Sequence, residues 1–351
     1  MDAPTLTYPH PTAPEPGVPV EVAPGLLWLR FPLPMALNHV NLWLLQDDAD
    51  AGGAPGWLLV DTGIGNAASR EIWDTLLAGP LQDKPIRRVL VTHMHPDHIG
   101  LAGWLCERFR APLTMTLSEY ATARATWSDD RPEVAAAHAA FYRAAGLPAE
   151  AAEMVEARGN VYRRGVSPIP VAARRIRDGD TLAIGGRPWR VIVGEGHSSE
   201  MACLYDAGRG ILISADQVLP KISPNVSVWP SEPEADPLAD FLRSLAVLRD
   251  LPAETLVLPS HGLPFFGLTQ RIDWLAAHHE ERLALTREVC RRPATVAELM
   301  AAMFHRALDR QQMMFAVGEA TAHLNRLVAA GELARETGAD GVWRYAPARR
   351  G

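Results

Sequence analysis

The chain has 351 residues, of which 48% are hydrophobic and 21% charged, with a formal net charge of -7. This is globular composition, long enough for a large core plus a small accessory domain. The acidic balance argues against a surface that binds nucleic acid indiscriminately. No segment approaches the roughly 20 uninterrupted apolar residues of a membrane span.

Met1 to about Gly17 is proline-rich, with no apolar run and no basic leader, so it reads as a flexible N-terminus and neither a signal peptide nor an anchor. A cytoplasmic protein is expected. Cys106, Cys203 and Cys290 are odd in number and sit in apolar contexts, which predicts reduced core thiols. From Glu21 to Asp47 apolar and polar residues alternate, giving two strands, Gly25–Arg30 and Val40–Leu45, that open a first sheet. His39 lies in the turn between them and reads as a hydrogen-bonded structural histidine, with substrate contact as the competing reading. A further strand, Trp57–Val60, runs into Asp61-Thr62-Gly63. Helical periodicity follows over Asn66–Leu77 and again over His98–Phe109.

Between those helices the apolar stretch Arg88–Val91 leads into Thr92-His93-Met94-His95-Pro96-Asp97-His98-Ile99-Gly100. Imidazole nitrogen and carboxylate oxygen suit zinc and iron. A strand end feeding a loop lets His93 and His95 share one metal while Asp97 and His98 serve another. The competing reading, a polar loop that happens to hold histidines, would need three of the twelve histidines to fall at this spacing by chance.

H-x-H-x-D-H is the signature of the metallo-β-lactamase superfamily, and the chain resembles that family at every other ligand position. Trp189–Ser198 reads as a strand, a glycine-flanked turn and His197, similar to the family's third imidazole for the first metal. Gly210–Asp216 is a strand ending where the family places its bridging aspartate, and Thr255–Gly262 supplies His261, which resembles the terminal ligand of the second metal. The resemblance implies that His93, His95, Asp97, His98, His197, Asp216 and His261 hold two divalent cations, zinc first, with iron or manganese as alternatives. Bridging by Asp216 would offset the repulsion between ions about 3.5–4 Å apart. Asp61 is expected outside the ligand set, accepting hydrogen bonds that orient a ligand imidazole or the motif loop; a simple turn role is the competing reading.

The implied fold is α+β, an αββα sandwich over residues 18–288, with a helical insertion at about 119–175 and a winged-helix-like unit over 289–351. The insertion is alanine-rich and helical in period. It could lie as a lid over the metal edge, with Trp127, Phe141, Tyr142, Met154 and Tyr162 lining an acyl or aromatic pocket, or those residues could pack the helices onto the sandwich. In the loop Ser223–Pro230, Asn225 and Ser227 are candidates for substrate hydrogen bonds. Asp236 and Pro237 cap a helix to Leu248, and another runs from about Thr269 to Cys290. The tail offers helices from Thr295 and over Phe315–Ala330, then a hairpin over Gly331–Tyr345. The second of these helices carries Arg326 against Glu319 and little other charge, so packing or dimerisation is preferred over nucleic-acid binding.

The expected activity is hydrolysis of a small acyl substrate, a thioester, ester or lactone, by a hydroxide bound between two metals, with Asp97 orienting it or relaying its proton. An endoribonuclease or phosphodiesterase of the winged-helix, lactamase-like branch is the main alternative. A mono-iron persulfide dioxygenase is less favoured, because Asp97, His98 and His261 supply a second set. The expected partner is a small molecule, with no membrane and a possible homodimer.

Overall fold

The computed structural model describes residues 4–47, 55–305 and 307–349. One sheet has seven strands in sequence order: β1 (Val20–Ala23), β2 (Leu26–Pro32), β3 (His39–Asp47), β4 (Gly56–Val60), β5 (Ile86–Leu90), β6 (Leu113–Met115) and β7 (Arg174–Arg175). The other has five, β8 (Thr181–Ile184), β9 (Arg187–Gly194), β10 (Met201–Asp206), β11 (Ile211–Ala215) and β12 (Leu256–Pro259). Hairpins make β1 to β4 and β8 to β11 antiparallel, while crossovers make β4 to β7 and the β11–β12 pair parallel.

Both faces of each sheet are buried, so the period-two alternation sorts apolar residues between layers and does not set apolar against polar. Trp28, Trp43, Leu58 and Val60 meet Trp189, Val191, Leu204 and Ile213 between the sheets. On the outer face of the first sheet, Phe31, Leu42, Leu44 and Val89 pack under α1 (Ala67–Ala78) and α3 (Ala102–Phe109) through Trp73, Leu76 and Leu105. A short α2 (Pro96–Ile99) precedes α3. On the outer face of the second sheet, Ile192, Cys203, Leu212 and Val257 meet Phe241 and Leu245 of α8 (Pro237–Arg249) and Ile272 and Leu275 of α9 (Leu268–Val289). Three apolar clusters between four layers are what makes this an αββα sandwich. All three cysteines are buried and free, as expected.

Gly100 interrupts the single helix expected over 98–109. A Cβ there would lie 2.4 Å from the Gly65 amide nitrogen and 2.5 Å from the Gly63 carbonyl oxygen, so only glycine lets the motif loop close on the turn after β4.

The insertion consists of α4 (Leu117–Ser128), α5 (Pro132–Ala144), α6 (Ala149–Ala157) and α7 (Tyr162–Gly165). Its apolar residues divide between two partners, in keeping with the reading that they pack the helices onto the sandwich. Phe141 and Tyr142 are buried in the outer cluster of the second sheet, and Met154 packs against it. Phe141 lies edge-on to Trp343, centroids 5.5 Å apart. Trp127 and Tyr162 belong to the cluster under the first sheet, and the Tyr162 hydroxyl donates to the Met94 carbonyl at 2.6 Å. An amphipathic helix announces a buried face but not which neighbour covers it.

The tail forms α10 (Val296–Met303), α11 (Arg310–Ala329) and the hairpin β13 (Leu333–Thr337) with β14 (Trp343–Pro347). It shares one core with α8 and α9. The first residues also depart from expectation: Thr7 and Phe266 exchange backbone hydrogen bonds of 3.2 and 2.8 Å, while Leu6 and Tyr8 pack on the core. A single bridge flanked by two apolar side chains leaves no periodic signal in a proline-rich segment. Among the described residues no helix is long and apolar enough to cross a membrane.

Candidate metal centre

Four strand ends converge at one edge of the sandwich. Residues just past β5 carry His93, His95, Asp97 and His98; those past β9, β11 and β12 carry His197, Asp216 and His261. Cross-sheet bonds fasten the edge: the Ala202 amide donates to the Thr92 carbonyl at 2.9 Å, and the Asn41 amide to the Ser260 carbonyl at 2.6 Å. All seven sequence-predicted donors come together here. Donor atoms of His93, His95 and His197 lie within 4.8 Å of one another, as do those of Asp97, His98 and His261, and those of His93, His98 and Asp216.

The separations suit a cation better than direct hydrogen bonds. His197 Nε2 is 3.4 Å from Asp216 Oδ2, His261 Nε2 is 3.4 Å from Asp216 Oδ1, and His98 Nε2 is 3.5 Å from Asp97 Oδ2. Tetrahedral ligands 2.0–2.1 Å from a zinc ion stand about 3.3–3.4 Å apart. His98 Nε2, His197 Nε2 and Asp216 Oδ1 are buried without a hydrogen-bond partner, a costly arrangement that a cation would resolve. The residues therefore fit the group. Asp216 faces both sets, so it is placed to bridge.

Electrostatics point the same way. Burial holds His93 and His95 well below the ordinary imidazole range, favouring the neutral ring that ligates metal. Burial would also lower His98, but Asp97, Asp61 and Asp216 outweigh it and hold that group well above its usual value. Carboxylates thus gather positive charge at the centre of the site.

Three of the five imidazoles are aimed from behind. His98 Nδ1 donates to Asp61 Oδ2 at 2.8 Å, His197 Nδ1 to the Asn225 carbonyl at 2.8 Å, and His261 Nδ1 to the His39 carbonyl at 2.6 Å. These bonds fix the tautomer that turns Nε2 inward. Asp61 also accepts from the Thr92 amide at 2.8 Å and from the Thr92 hydroxyl at 2.9 Å; that hydroxyl is 3.0 Å from His93 Nδ1. Its carboxylate therefore reaches two imidazoles, and more than a turn residue is required here. Asp61 and Ala215 adopt positive φ, 62° and 47°, strain of the kind that collects at working sites.

His39 is structural, as read from the sequence. Its Nε2 accepts from the Gly262 amide at 2.8 Å, so Nδ1 carries the proton and meets Asn38 Oδ1 at 2.8 Å. Burial, with Arg30 and His261 nearby, pushes its pKa down to about 4 and keeps it neutral. Ser227 is buried and its hydroxyl donates to Oδ1 of the half-buried Asn225 at 2.5 Å, so the two bond to each other.

Glu119 was not visible as a site residue. Thr116-x-x-Glu119 has the form of a capping box, yet Thr116 donates to the Glu200 carbonyl at 2.8 Å, and Glu119 accepts from the Met94 and Glu200 amides at 2.8 Å each. Glu200 reciprocates by accepting from the Ser118 amide at 3.0 Å. One buried carboxylate thereby ties the loop of His93 and His95 to the loop of His197.

The metallo-beta-lactamase superfamily model matches residues 37–261. The chain belongs to that superfamily. It is a metal-dependent hydrolase of the metallo-beta-lactamase fold, and a metallo-beta-lactamase-like C-terminal domain matches residues 283–348. A beta-lactamase domain protein from Burkholderia ambifaria is similar over 98% of each chain at 47% identity, with a TM-score of 0.90. A metallo-beta-lactamase family protein from Thermus thermophilus is 34% identical with a TM-score of 0.78, covering 93% of this chain and 100% of that one. The probable metallo-hydrolase YqjP of Bacillus subtilis (strain 168) is 24% identical over 312 residues, 86% of this chain and 91% of its own length. A Bos taurus protein named as an acyl-coenzyme A thioesterase is 28% identical over 208 residues, 55% of this chain and 63% of its own length.

Proposed function

We propose that this superfamily member hydrolyses a small acyl substrate, a thioester first and an ester or lactone next, with two divalent cations bound. The observation that carries the reading is the pair of donor sets, His93/His95/His197 and Asp97/His98/His261, with the Asp216 carboxylate between them. Zinc is the proposed ion, with iron or manganese suiting the same donors. When bound, the cations supply Lewis acidity and bring a water's pKa towards neutrality.

The chain's own residues do the rest. Asp216 neutralises charge between the two sets. Asp61, Asn225 and the His39 carbonyl keep three imidazoles in the ligating tautomer. Asp97, the more exposed of the two inner carboxylates, is placed to hold a proton at Oδ2, 3.5 Å from His261 Nε2. Similarity to a named acyl-coenzyme A thioesterase favours the thioester within the acyl class.

A phosphodiesterase reading would ask α11 to present cations. Arg326 is instead 3.4 Å from Asp236, and Asn325 donates to the Pro233 and Ala235 carbonyls, which supports a packing role for a winged-helix-like tail. The presence of Asp97, His98 and His261 together weighs against a single-iron dioxygenase.

The test is a substrate panel of acyl thioesters, esters, lactones, phosphodiesters and RNA, run with zinc and after chelation. Metal-dependent thioester hydrolysis that falls at least a hundredfold in Asp97→Ala, with metals still bound, is expected. Phosphodiester or RNA cleavage without thioester turnover, or an unaffected Asp97→Ala, would overturn the proposal.

A further inference from the structure

The helix of the C-terminal unit reaches the metal edge. The Val228 amide donates to the Gly318 carbonyl at 3.1 Å, and a Cβ on Gly318 would lie 2.7 Å from the Ser227 side chain. Glycine at 318 is what allows α11 to lie directly against the loop that carries Asn225. This contact brings Phe315 edge-on to Trp229, centroids 6.2 Å apart, and Trp229 edge-on to His95 at 6.5 Å.

Phe315 is 36% exposed, while the next residues of α11, Ala316 and Val317, are 3% and 0% exposed. Trp229 is half-buried, and Met314, the residue before Phe315 on α11, lies against Arg158 at the end of α6. Arg158 forms no ion pair among the described residues. The aromatic edges therefore make a half-open apolar ledge that starts at a metal-site imidazole and ends at a guanidinium.

We propose that this ledge, Trp229 and Phe315 with Met314, is the binding site for the apolar chain of a medium-length acyl substrate, so that α11 sets chain-length selectivity. The inference rests on the acyl-hydrolase reading and adds the acyl group's place. Its occupant follows from continuity: a chain whose carbonyl lies at His95 has its first methylenes against Trp229 and its later ones against Phe315. Full apolar burial then predicts that kcat/KM rises up to about fourfold per added methylene until the ledge is covered.

The test compares wild type, Phe315→Ala and Trp229→Ala on acetyl, butanoyl, octanoyl and dodecanoyl thioesters. Octanoyl kcat/KM should fall at least tenfold more than acetyl kcat/KM in Phe315→Ala, with the octanoyl loss carried by KM. A loss uniform across the series, or none, would overturn the ledge. Octanoate binding to the metal-free chain, followed by tryptophan fluorescence, separates this failure from failure of the acyl-hydrolase reading. If no thioester is cleaved but octanoate still binds and Phe315→Ala abolishes it, the ledge stands and the activity is wrong. Sedimentation of Phe315→Ala completes the set. A dimer that becomes a monomer, with octanoate binding unchanged, would make the ledge a contact with a second copy and refute the proposal.

Discussion

Replacing Glu119 should damage half of the metal centre selectively. The buried carboxylate accepts two amide bonds of 2.8 Å, one from Met94 between His93 and His95, the other from Glu200 beyond His197. Hydrogen bonds to a charged acceptor contribute about 1.5–3 kcal/mol each. Burial, which raises the carboxyl pKa, works against the two amides that lower it, so the net loss is smaller than the sum of two such bonds. Glu119→Ala should cost about 3–5 kcal/mol. Glu119→Gln keeps one acceptor but turns an NH2 towards the other amide, and should cost about 2 kcal/mol, a fall of several degrees in Tm. Because both tethered loops serve the His93/His95/His197 set, zinc affinity there should weaken about 10–100-fold, while the Asp97/His98/His261 set, aimed by Asp61 and His39, is nearly unchanged. Chelator competition on Glu119→Gln, with thermal unfolding of the metal-free protein, reads both quantities. Equal weakening of both sets, or wild-type affinity with wild-type Tm, would refute the argument.

Two other expectations follow from the tail and its interface. Gly318→Ala places a methyl 2.7 Å from Ser227; separating α11 from the loop should cost about 1–3 kcal/mol by overpacking and loosen the Asn225 carbonyl behind His197, an effect that chemical denaturation and zinc titration would detect. His323, buried against His279 at 3.3 Å, is held at about 4 by burial, while burial lifts the neighbouring Glu319 to about 7. On acidification from pH 6.5 to 4 the unfolded histidine takes up a proton that the folded one refuses, so stability falls. Glu319 keeps its proton in the folded state and opposes this between pH 7 and 4.5. In Glu319→Gln that opposition is absent, so stability should fall more steeply than in wild type, by about 3 kcal/mol between pH 7 and 4.5; parallel profiles would contradict the assignment.

What the sequence revealed and what it withheld have a common physical cause. His93 to His98, His197, Asp216 and His261 were legible because each follows a buried strand, and strand ends are where chains turn towards a shared edge. Helix limits were legible where a cap marks them: Asn66 accepts from the Ser69 amide at 2.8 Å ahead of α1, and Asp236 from Ala239 at 3.1 Å ahead of α8. Asp61 behind His98 was legible from its Asp-Thr-Gly turn, whereas the roles of His39 and Asn225 behind His261 and His197 were hidden because they act through backbone carbonyls, and a carbonyl has no residue type. Glu119 was hidden more deeply, since its local pattern satisfies a helix-capping rule that the fold overrides with longer-range bonds. Phe141 and Phe315 show the same limit in packing: both lie on helices of plausible pattern, but only the fold places one in the core beside Trp343 and the other at the metal edge.

Metal content, measured on protein purified without added metal, addresses the central claim most directly. Two zinc, iron or manganese ions per chain are expected, falling to about one in His261→Ala while His93, His95 and His197 keep theirs. One iron per chain in the wild type, with no second ion taken up on titration, would contradict the paired donor sets and move the reading towards single-iron oxygen chemistry.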